Sequence, residues 1–359
     1  MGSYDIAVVP GDGVGPEVVA EAVKVLLALE KPFPNLRFVF HEHPIGAKCY
    51  QDTGTDLPDE TLDACRNSDA VLFGSAGDPS IRFDDGTEIA PQLTLRFVLD
   101  LYAGIRPIKK YPGVSPVLAG DPDIDYVIMR ENTEGLYASR GGGVRLADEM
   151  AVDSMVITRK GTERICRAAF DIAERRQGAP RDGKRRVTSV DKANILKSQA
   201  YFREIYDEVA EGYPGTERDY AYVDAYTVYQ VTRPDYYDVV VAENMFGDII
   251  SDLAAGTIGG MGMAPSGDVG DDHGVFQPSH GTAPDIAGMG IANPVAQILS
   301  AGMMLEWLGG RNNDDDATRA AAAIDEAVGR VLSSPTSHTG DLGGNAKTSD
   351  VGDAVASEL

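Results

Sequence analysis

The stretch that decides the fold reads DIAVVPGDGVGPEVVAEAVKVLLAL and occupies residues 5–29. Residues 5–10 form a short apolar run typical of a buried strand, and residues 16–29 have the apolar spacing of an amphipathic helix. A glycine-rich segment joins the two. Because a buried strand followed by a helix is the repeating unit of open α/β sheets, the stretch predicts an α/β fold.

The same alternation of apolar runs and helical patterns continues along the chain. The further predicted strands are residues 36–41, 70–73, 126–130, 187–191 and 239–242, and the further predicted helices include residues 61–65, 294–308 and 318–332. Shifts in composition at residues 105–113 and 256–270 indicate a middle segment inserted into a domain made from both chain ends. We therefore expect two domains, residues 1–105 plus 262–359 and residues 106–261.

The composition excludes several classes of protein. Among 359 residues, 32 are basic and 56 acidic, and the resulting formal charge of −24 repels nucleic acid. The one dense basic run, residues 181–186, is interpreted as a solvated loop before a strand. No apolar run approaches the roughly 20 residues that span a bilayer. With no signal-peptide pattern and only three widely spaced cysteines, the chain is expected to be cytoplasmic, with no membrane partner.

The glycine-rich segment after the first strand has the spacing GxGxG, and Pro16 interrupts the usual dinucleotide-binding pattern. A tight strand-to-helix turn is the favoured interpretation, with a phosphate-binding loop as the alternative. A later segment, HGTAPDIAG at residues 280–288 followed by IANP at residues 291–294, is rich in backbone donors. It is interpreted as wrapping a nucleotide, with Asp285 accepting from a ribose hydroxyl.

Three arginines lie at the boundaries of predicted elements: Arg96, Arg106 and Arg130. Guanidinium groups bind carboxylates in a bidentate manner, so the three either converge on an anionic substrate or form surface ion pairs. Two further polar residues follow predicted strands. Tyr137 is a candidate proton donor or a packing residue, and Lys192 is a candidate acid–base group or an ordinary lysine with a solvated head.

Asp248 and Asp252 are four residues apart in NMFGDIISD, so a helix presents both carboxylates on one face. Like charges at this spacing repel, and a bound cation offsets the repulsion. Oxygen ligands without a nearby His or Cys favour Mg²⁺ or Mn²⁺ over zinc. Asp224, in YVDAY, is a candidate third ligand. The alternative is a solvated acidic helix face.

Taken in order, these segments resemble the β-decarboxylating dehydrogenases, the family of isocitrate and isopropylmalate dehydrogenases. The matching motifs cover the chain to about residue 308: PGDGVGPE, GIRP, RENTEGLY, DKANIL, YVDAY, NMFGDIISDLAA and HGTAPDIAG with IANP. The resemblance implies an isopropylmalate dehydrogenase-like open sheet unlike the Rossmann fold, with a discontinuous first domain that binds the cofactor. It also implies a homodimer whose second domain binds substrate and metal and dimerises, so that active sites are shared.

The resemblance further implies a role for each candidate. Arg96, Arg106 and Arg130 bind the substrate, and Tyr137 donates a proton to the carbon that loses CO₂. Asp248 and Asp252 hold the metal with Asp224, and both Asp224 and Lys192 come from the other subunit. Lys192, acting through Asp224 or water, removes the hydroxyl proton. The implied cofactor-binding residues are Gly74, Ser75, Asn194, His280, Gly281, Thr282, Ala283, Asp285 and Asn293.

The acidic Asp285 is typical of family members that use NAD, because it repels a 2′-phosphate. The small-molecule substrate is expected to be the hydroxy acid 3-isopropylmalate. However, Gln92 stands where isopropylmalate enzymes carry a leucine, so tartrate or D-malate remains an alternative. A non-catalytic regulatory subunit of a heteromeric isocitrate dehydrogenase is the alternative from another class.

Overall fold

The structure, a computed structural model, describes residues 2–140 and 142–359. They form two compact units. Unit 1 comprises Met1–Asp100, Tyr111–Ser115 and Gly259–Leu359, and unit 2 comprises Leu101–Lys110 and Pro116–Ile258. Unit 1 is therefore built from both ends of the chain.

The described strands are β1 (Gly2–Gly11), β2 (Leu36–Glu42), β3 (Ala70–Ser75), β4 (Ala103–Lys109), β5 (Asp125–Glu131), β6 (Val144–Leu146), β7 (Met150–Val152), β8 (Arg186–Asp191), β9 (Glu217–Tyr222), β10 (Val239–Ala242), β11 (Pro265–Val269) and β12 (Gly274–Pro278). The described α-helices are α1 (Gly15–Leu29), α2 (Ala47–Thr53), α3 (Asp59–Asn67), α4 (Pro91–Val98), α5 (Arg159–Arg175), α6 (Lys197–Ala210), α7 (Val223–Thr232), α8 (Asn244–Thr257), α9 (Val295–Asn312), α10 (Asp315–Leu332) and α11 (Thr348–Ser357). All the predicted strands and helices are present.

In unit 1 the strands follow the order β2–β1–β3–β12–β11, and only β11 is antiparallel to its neighbour. Helices α1 and α9 pack against each other and against β3. Every residue of β3 is buried, which is typical of a parallel strand covered on both faces. The last long helix, α10, begins at the acidic cap that its sequence indicates, because the Asp314 carboxylate accepts from the amides of Asp316 and Ala317.

In unit 2 the strands follow the order β4–β5–β10–β8–β9, and only β4 is antiparallel to its neighbour. The parallel strands β5, β10 and β8 therefore all end at the same edge. Arg130 lies near the end of β5, Lys192 directly follows β8, and α8 begins two residues after β10. Ligands of open α/β sheets bind at the carboxyl ends of the parallel strands. In unit 2, three candidate segments lie at this edge of the sheet.

The glycine-rich segment of unit 1 is a tight turn, and one of its residues, Asp12, has a buried carboxylate. Gly11 has a φ of 74°, which L side chains rarely adopt. The buried Asp12 side chain then accepts from the backbone amides of Ala47 at 2.6 Å, Lys48 at 2.9 Å and Gly77 at 2.8 Å. The turn thus carries a carboxylate that is bound by amides of two other segments, the start of α2 and the residues after β3.

Two features differ from the sequence-based interpretation. The sequence QLTLRFVLDLY at residues 92–102 has a helical pattern, but helix α4 ends at Val98 and Asp100 takes a left-handed φ of 48°. In the basic run, Arg186 is buried, not solvated: it bonds Asp182 at 2.9 Å and lies over the Tyr236 ring. Asp182 belongs to the same run, but the Tyr236 ring is 50 residues away in the chain and is not visible in a local pattern. In the described residues, no helix is long and apolar enough to span a membrane.

We predict that Asp12→Ala destabilises unit 1 by about 3 kcal/mol, because the buried amides of Ala47 and Gly77 and the partly buried amide of Lys48 lose a charged acceptor. Urea unfolding followed by circular dichroism measures this. Asp52→Ala is the matched control, since Asp52 only forms an exposed ion pair with Lys48, worth roughly 0–1 kcal/mol. Equal losses in the two variants would contradict the structural role of Asp12.

Candidate active site

The site of unit 2 is centred on Arg130, whose side chain is only 2% exposed. Asn244, the first residue of α8, accepts from Arg130 Nε at 3.0 Å and from Nη2 at 2.8 Å. The Asn244 amide group also donates to the Glu134 carbonyl at 3.1 Å. The remaining edge of the guanidinium bonds and ion-pairs with Asp248. Arg130 is thus held in one orientation by α8.

Tyr137 lies on a short 3₁₀ turn, Leu136–Ser139, and its hydroxyl donates to Asp248 Oδ2 at 3.0 Å. The Arg130 guanidinium lies 5.3 Å from the centre of its ring, within range of a cation–π contact. Asp248 therefore binds both the arginine and the tyrosine.

Asp248 and Asp252 lie one turn apart on α8, as their spacing predicts. Asp252 Oδ1 is 3.8 Å from Nη1 of the buried Arg106. Burial and the neighbouring Asp248 carboxylate raise the pKa of Asp252, in that order of importance, against the lowering effect of the two arginines. The Arg106 Nε is buried and has no hydrogen-bond partner among the described residues. The site thus offers a donor for an anion and a carboxylate pair for a cation.

Lys192 and Asp224 form a separate pair in unit 2, with Lys192 Nζ 2.5 Å from Asp224 Oδ1. Asp224 lies exposed in the first turn of α7, and the hydrogen bond from Lys192 lowers its pKa. Across the described part of the chain, no three His, Cys, Asp or Glu side chains form a group able to hold a metal. Asp224 is therefore not gathered with the α8 carboxylates within one chain.

Arg96, the remaining predicted arginine, is buried in unit 1, where its Nε donates to Asp268 Oδ2 at 2.8 Å. Asp268, itself buried, also accepts from Gln277. The ion pair neutralises both charges inside the unit.

The predicted cofactor residues of unit 1 fall into two groups. Gly281, Ala283 and Asp285 are exposed along a loop that also exposes the apolar side chains of Met289 and Ile291. The exposed apolar side chains can contact a flat ring, and the Asp285 carboxylate can accept from a hydroxyl. His280 precedes it, with burial lowering the pKa of its imidazole. Asn293 closes the loop, since its Oδ1 accepts from the Val295 amide at 3.0 Å and its Nδ2 donates to Asp341.

The other group makes internal contacts. Ser75 donates to the Asp12 carbonyl at 2.9 Å, Thr282 accepts from the Val14 amide at 2.9 Å, and a Cβ at Gly74 would lie 2.2 Å from the Pro10 carbonyl oxygen. These residues support the glycine turn. Asn194, the last predicted cofactor residue, lies exposed in unit 2 after β8.

Sequence reasoning missed Glu131 and Asn244, which hold the site in shape. Glu131 is buried and accepts from the Thr133 amide and hydroxyl and from the Glu134 amide, which fixes the loop that leads to Tyr137. The only sequence signal was adjacency: Glu131 follows Arg130, and Asn244 opens the helix that carries the two aspartates.

The fold and this site define an open-sheet α/β protein with arginine and carboxylate side chains gathered around α8 of unit 2. A family model described as isocitrate/isopropylmalate dehydrogenase matches residues 5–355, and the chain belongs to that family. It is 44% identical over 357 residues to the 3-isopropylmalate/3-methylmalate dehydrogenase of Methanocaldococcus jannaschii, and 42% identical over 360 residues to the 3-isopropylmalate dehydrogenase of Rhodococcus jostii. Both comparisons cover 99% of each chain.

A solved structure gives the same result. The chain is 39% identical to isocitrate dehydrogenase from Methylococcus capsulatus, and its structure matches that crystal structure with a TM-score of 0.87. The match covers 99% of each chain. The comparisons confirm the family resemblance, the open-sheet fold with a discontinuous first domain, and the prediction that the chain is a dehydrogenase.

We predict a pH-dependent stability effect at Glu131, because burial raises its pKa from 4.5 to about 7. Between these values the folded chain keeps a proton that the unfolded chain releases, so this residue's contribution to stability falls as the pH rises and is constant above about pH 7. Glu131→Gln cannot release that proton. Its free energy of unfolding should therefore rise relative to wild type by up to about 3 kcal/mol across this window.

Denaturant unfolding of both proteins from pH 5 to 8 measures the difference. Glu306→Gln, on the exposed face of α9, is the control and should change little with pH. Parallel pH curves for Glu131→Gln and wild type would refute the prediction.

Proposed function

We propose that the chain is a NAD-dependent, metal-requiring dehydrogenase that oxidises 3-isopropylmalate and releases its β-carboxylate as CO₂. The observation that carries the proposal is the meeting of Arg106, Arg130 and Tyr137 with Asp248 and Asp252 on one turn of α8. The names of the relatives from Methanocaldococcus and Rhodococcus support the same substrate.

The arginines bind the carboxylates of the substrate. Arg130 has a fixed orientation because Asn244 accepts from two of its nitrogens, and a fixed guanidinium loses little freedom on binding. Arg106 contributes its buried Nε, which needs an acceptor. Arg96 is the third substrate arginine by family resemblance.

Asp248 and Asp252 hold the divalent metal. Their oxygen donors suit Mg²⁺ and Mn²⁺. Burial first and the neighbouring Asp248 carboxylate second raise the pKa of Asp252, and a bound cation would favour its ionised form. When bound, the ion supplies Lewis acidity that makes the substrate hydroxyl easier to deprotonate and stabilises the developing negative charge.

Three side chains move the protons. Lys192, acting through Asp224, accepts the hydroxyl proton as hydride leaves for the cofactor, and their direct hydrogen bond makes a relay between them. Tyr137 protonates the carbon from which CO₂ departs. Its hydroxyl already donates to Asp248, so a metal ligand orients the proton donor.

Unit 1 binds the cofactor along the exposed loop that follows His280. Asp285 is exposed there and suits a free 2′-hydroxyl, whereas a 2′-phosphate would be repelled. The neighbouring Met289 and Ile291 are exposed apolar side chains, 60% and 41% accessible, that can pack on an adenine ring. NAD, not NADP, is therefore the proposed cofactor.

A homodimer completes the site. On α7 the exposed Val228 and Val231 share a helix face with Asp224, and on α8 the exposed Ile249 and Leu253 lie beside Asp248 and Asp252. Helices α7 and α8 pack against each other, so the apolar side chains favour covering by a second copy. The partner would then supply the Lys192–Asp224 pair that one chain does not bring to the metal carboxylates.

Gln92, one helical turn before Arg96 on α4, bears on which substituent the substrate carries. Its Oε1 is buried without a hydrogen-bond partner among the described residues. An unpaired acceptor favours a smaller or hydroxylated substituent, as in D-malate or tartrate. The name of the Methanocaldococcus relative, which includes 3-methylmalate, also supports tolerance of a small group.

We expect the purified protein to produce NADH from 3-isopropylmalate with Mg²⁺ or Mn²⁺, and to lose this activity in a chelator. The assay compares 3-isopropylmalate, 3-methylmalate, D-malate, tartrate, isocitrate and homoisocitrate, each with NAD and NADP. Preference for a small substrate that Gln92→Leu reverses would assign the alternative substrate class. If the protein turns over none of these substrates, the proposal of a catalytic dehydrogenase fails and the alternative of a non-catalytic regulatory subunit is favoured.

We also expect two inactive variants to complement each other. Lys192→Ala and Asp252→Asn should each lose activity by about 100-fold or more. In a mixed dimer one site has both intact residues, so co-refolded variants should recover about a quarter of wild-type activity. Mixing either variant with itself is the control. No recovery, with mixed dimers present, would exclude shared sites.

A further inference from the structure

The loop that contains the proposed NAD-binding residues, residues 281–293, is here named the nucleotide loop. Its two ends are well anchored. The Thr282 carbonyl accepts from the Val14 amide, and near the other end Thr348 donates through its amide to the Gly290 carbonyl at 3.0 Å and through its hydroxyl to the Ala292 carbonyl at 2.7 Å. The middle of the loop, which exposes Asp285 and Met289, needs another attachment.

Glu17 supplies that attachment from the first turn of α1. Its half-buried carboxylate accepts hydrogen bonds from the backbone amides of Gly288 and of Gly290, the latter at 2.9 Å. Both glycines have positive φ values, 76° and 65°, a conformation that glycine adopts without strain. The left-handed turns let two nearby amides bond the two oxygens of one side chain, and an ionised acceptor strengthens both bonds.

An apolar contact lies beneath this attachment and is independent of it. Val14, which directly precedes α1, and Val18 of α1 pack with Ala292, and Ile286 of the loop packs against this cluster. Replacing Glu17 by a neutral or shorter side chain therefore leaves the loop seated on α1. What changes is the arrangement of residues 285–291, which carry the exposed groups.

We propose that Glu17 is a positioning residue for the cofactor: it fixes the nucleotide loop in the shape that NAD binds. This inference rests on the proposed function. Glu17 does not touch the cofactor in this scheme. A loop ordered before binding costs the ligand less conformational entropy, so loosening it weakens binding without changing the contacts of the bound state.

The test compares Glu17→Gln and Glu17→Asp with wild type. The first variant keeps one acceptor but loses the charge, and the second keeps the charge on a side chain one methylene shorter. We expect both to raise the Kd and KM for NAD by about tenfold, while kcat and the KM of the hydroxy acid stay within about twofold of wild type. Hydrogen exchange of residues 286–291 should increase in both.

Glu60→Gln is the matched control, because Glu60 also lies in the first turn of a helix, α3, and is exposed. It should leave the KM for NAD unchanged. A wild-type KM for NAD in the Glu17 variants would overturn the positioning role, even if they melt at a lower temperature. Tighter binding of NAD by Glu17→Gln alone would also overturn the positioning role, since the main effect of Glu17 would then be to repel the negatively charged cofactor. If wild type itself binds no NAD, the proposed function fails, which is a separate result.

Discussion

The repulsion between Asp248 and Asp252 is the constraint on which the site depends. Two carboxylates one turn apart on a helix destabilise each other, and partial burial strengthens the effect because less water screens them. The protein offsets the charges with Arg130 at one carboxylate and Arg106 at the other. The arginines in turn are buried and would be costly without an acidic partner. Each half of the cluster makes the other tolerable.

The sheet of unit 2 explains how residues far apart in the chain meet. Strands β5, β8 and β10 are parallel neighbours, so their carboxyl ends lie at one edge of the sheet. Each of the three strands is followed there by a segment that contains candidate site residues. Asn244 then links two of these segments, since it bonds both Arg130 and the Glu134 carbonyl. The geometry of the site is therefore a property of strand order as much as of the side chains themselves.

Much of the fold and part of the site could be predicted from the sequence. Buried strands such as β3 and β10 are visible as apolar runs, and the Asp248–Asp252 spacing is informative because helical periodicity is local. The contacts of Arg96 were not predictable, because its partner Asp268 is 172 residues away in the chain. The role of Asp12 was hidden for the same reason: a GxGxG turn looks like a phosphate loop until the carboxylate inside it is seen to accept from amides of two other loops.

Family membership determines the reaction more firmly than the substrate, and the energies explain why. In the proposed reaction, oxidation and decarboxylation use the groups at the reacting carbons, whereas the substituent would contact only a few side chains near Arg96. One methylene in a pocket changes the binding free energy by about 1–3 kcal/mol, and a buried polar atom without a partner costs about the same. The single amide of Gln92, with its Oε1 unpaired in the described residues, is thus comparable in energy to the difference between two substrates. A chain can share the fold and the site with isopropylmalate enzymes and still have its preference decided at one position of α4.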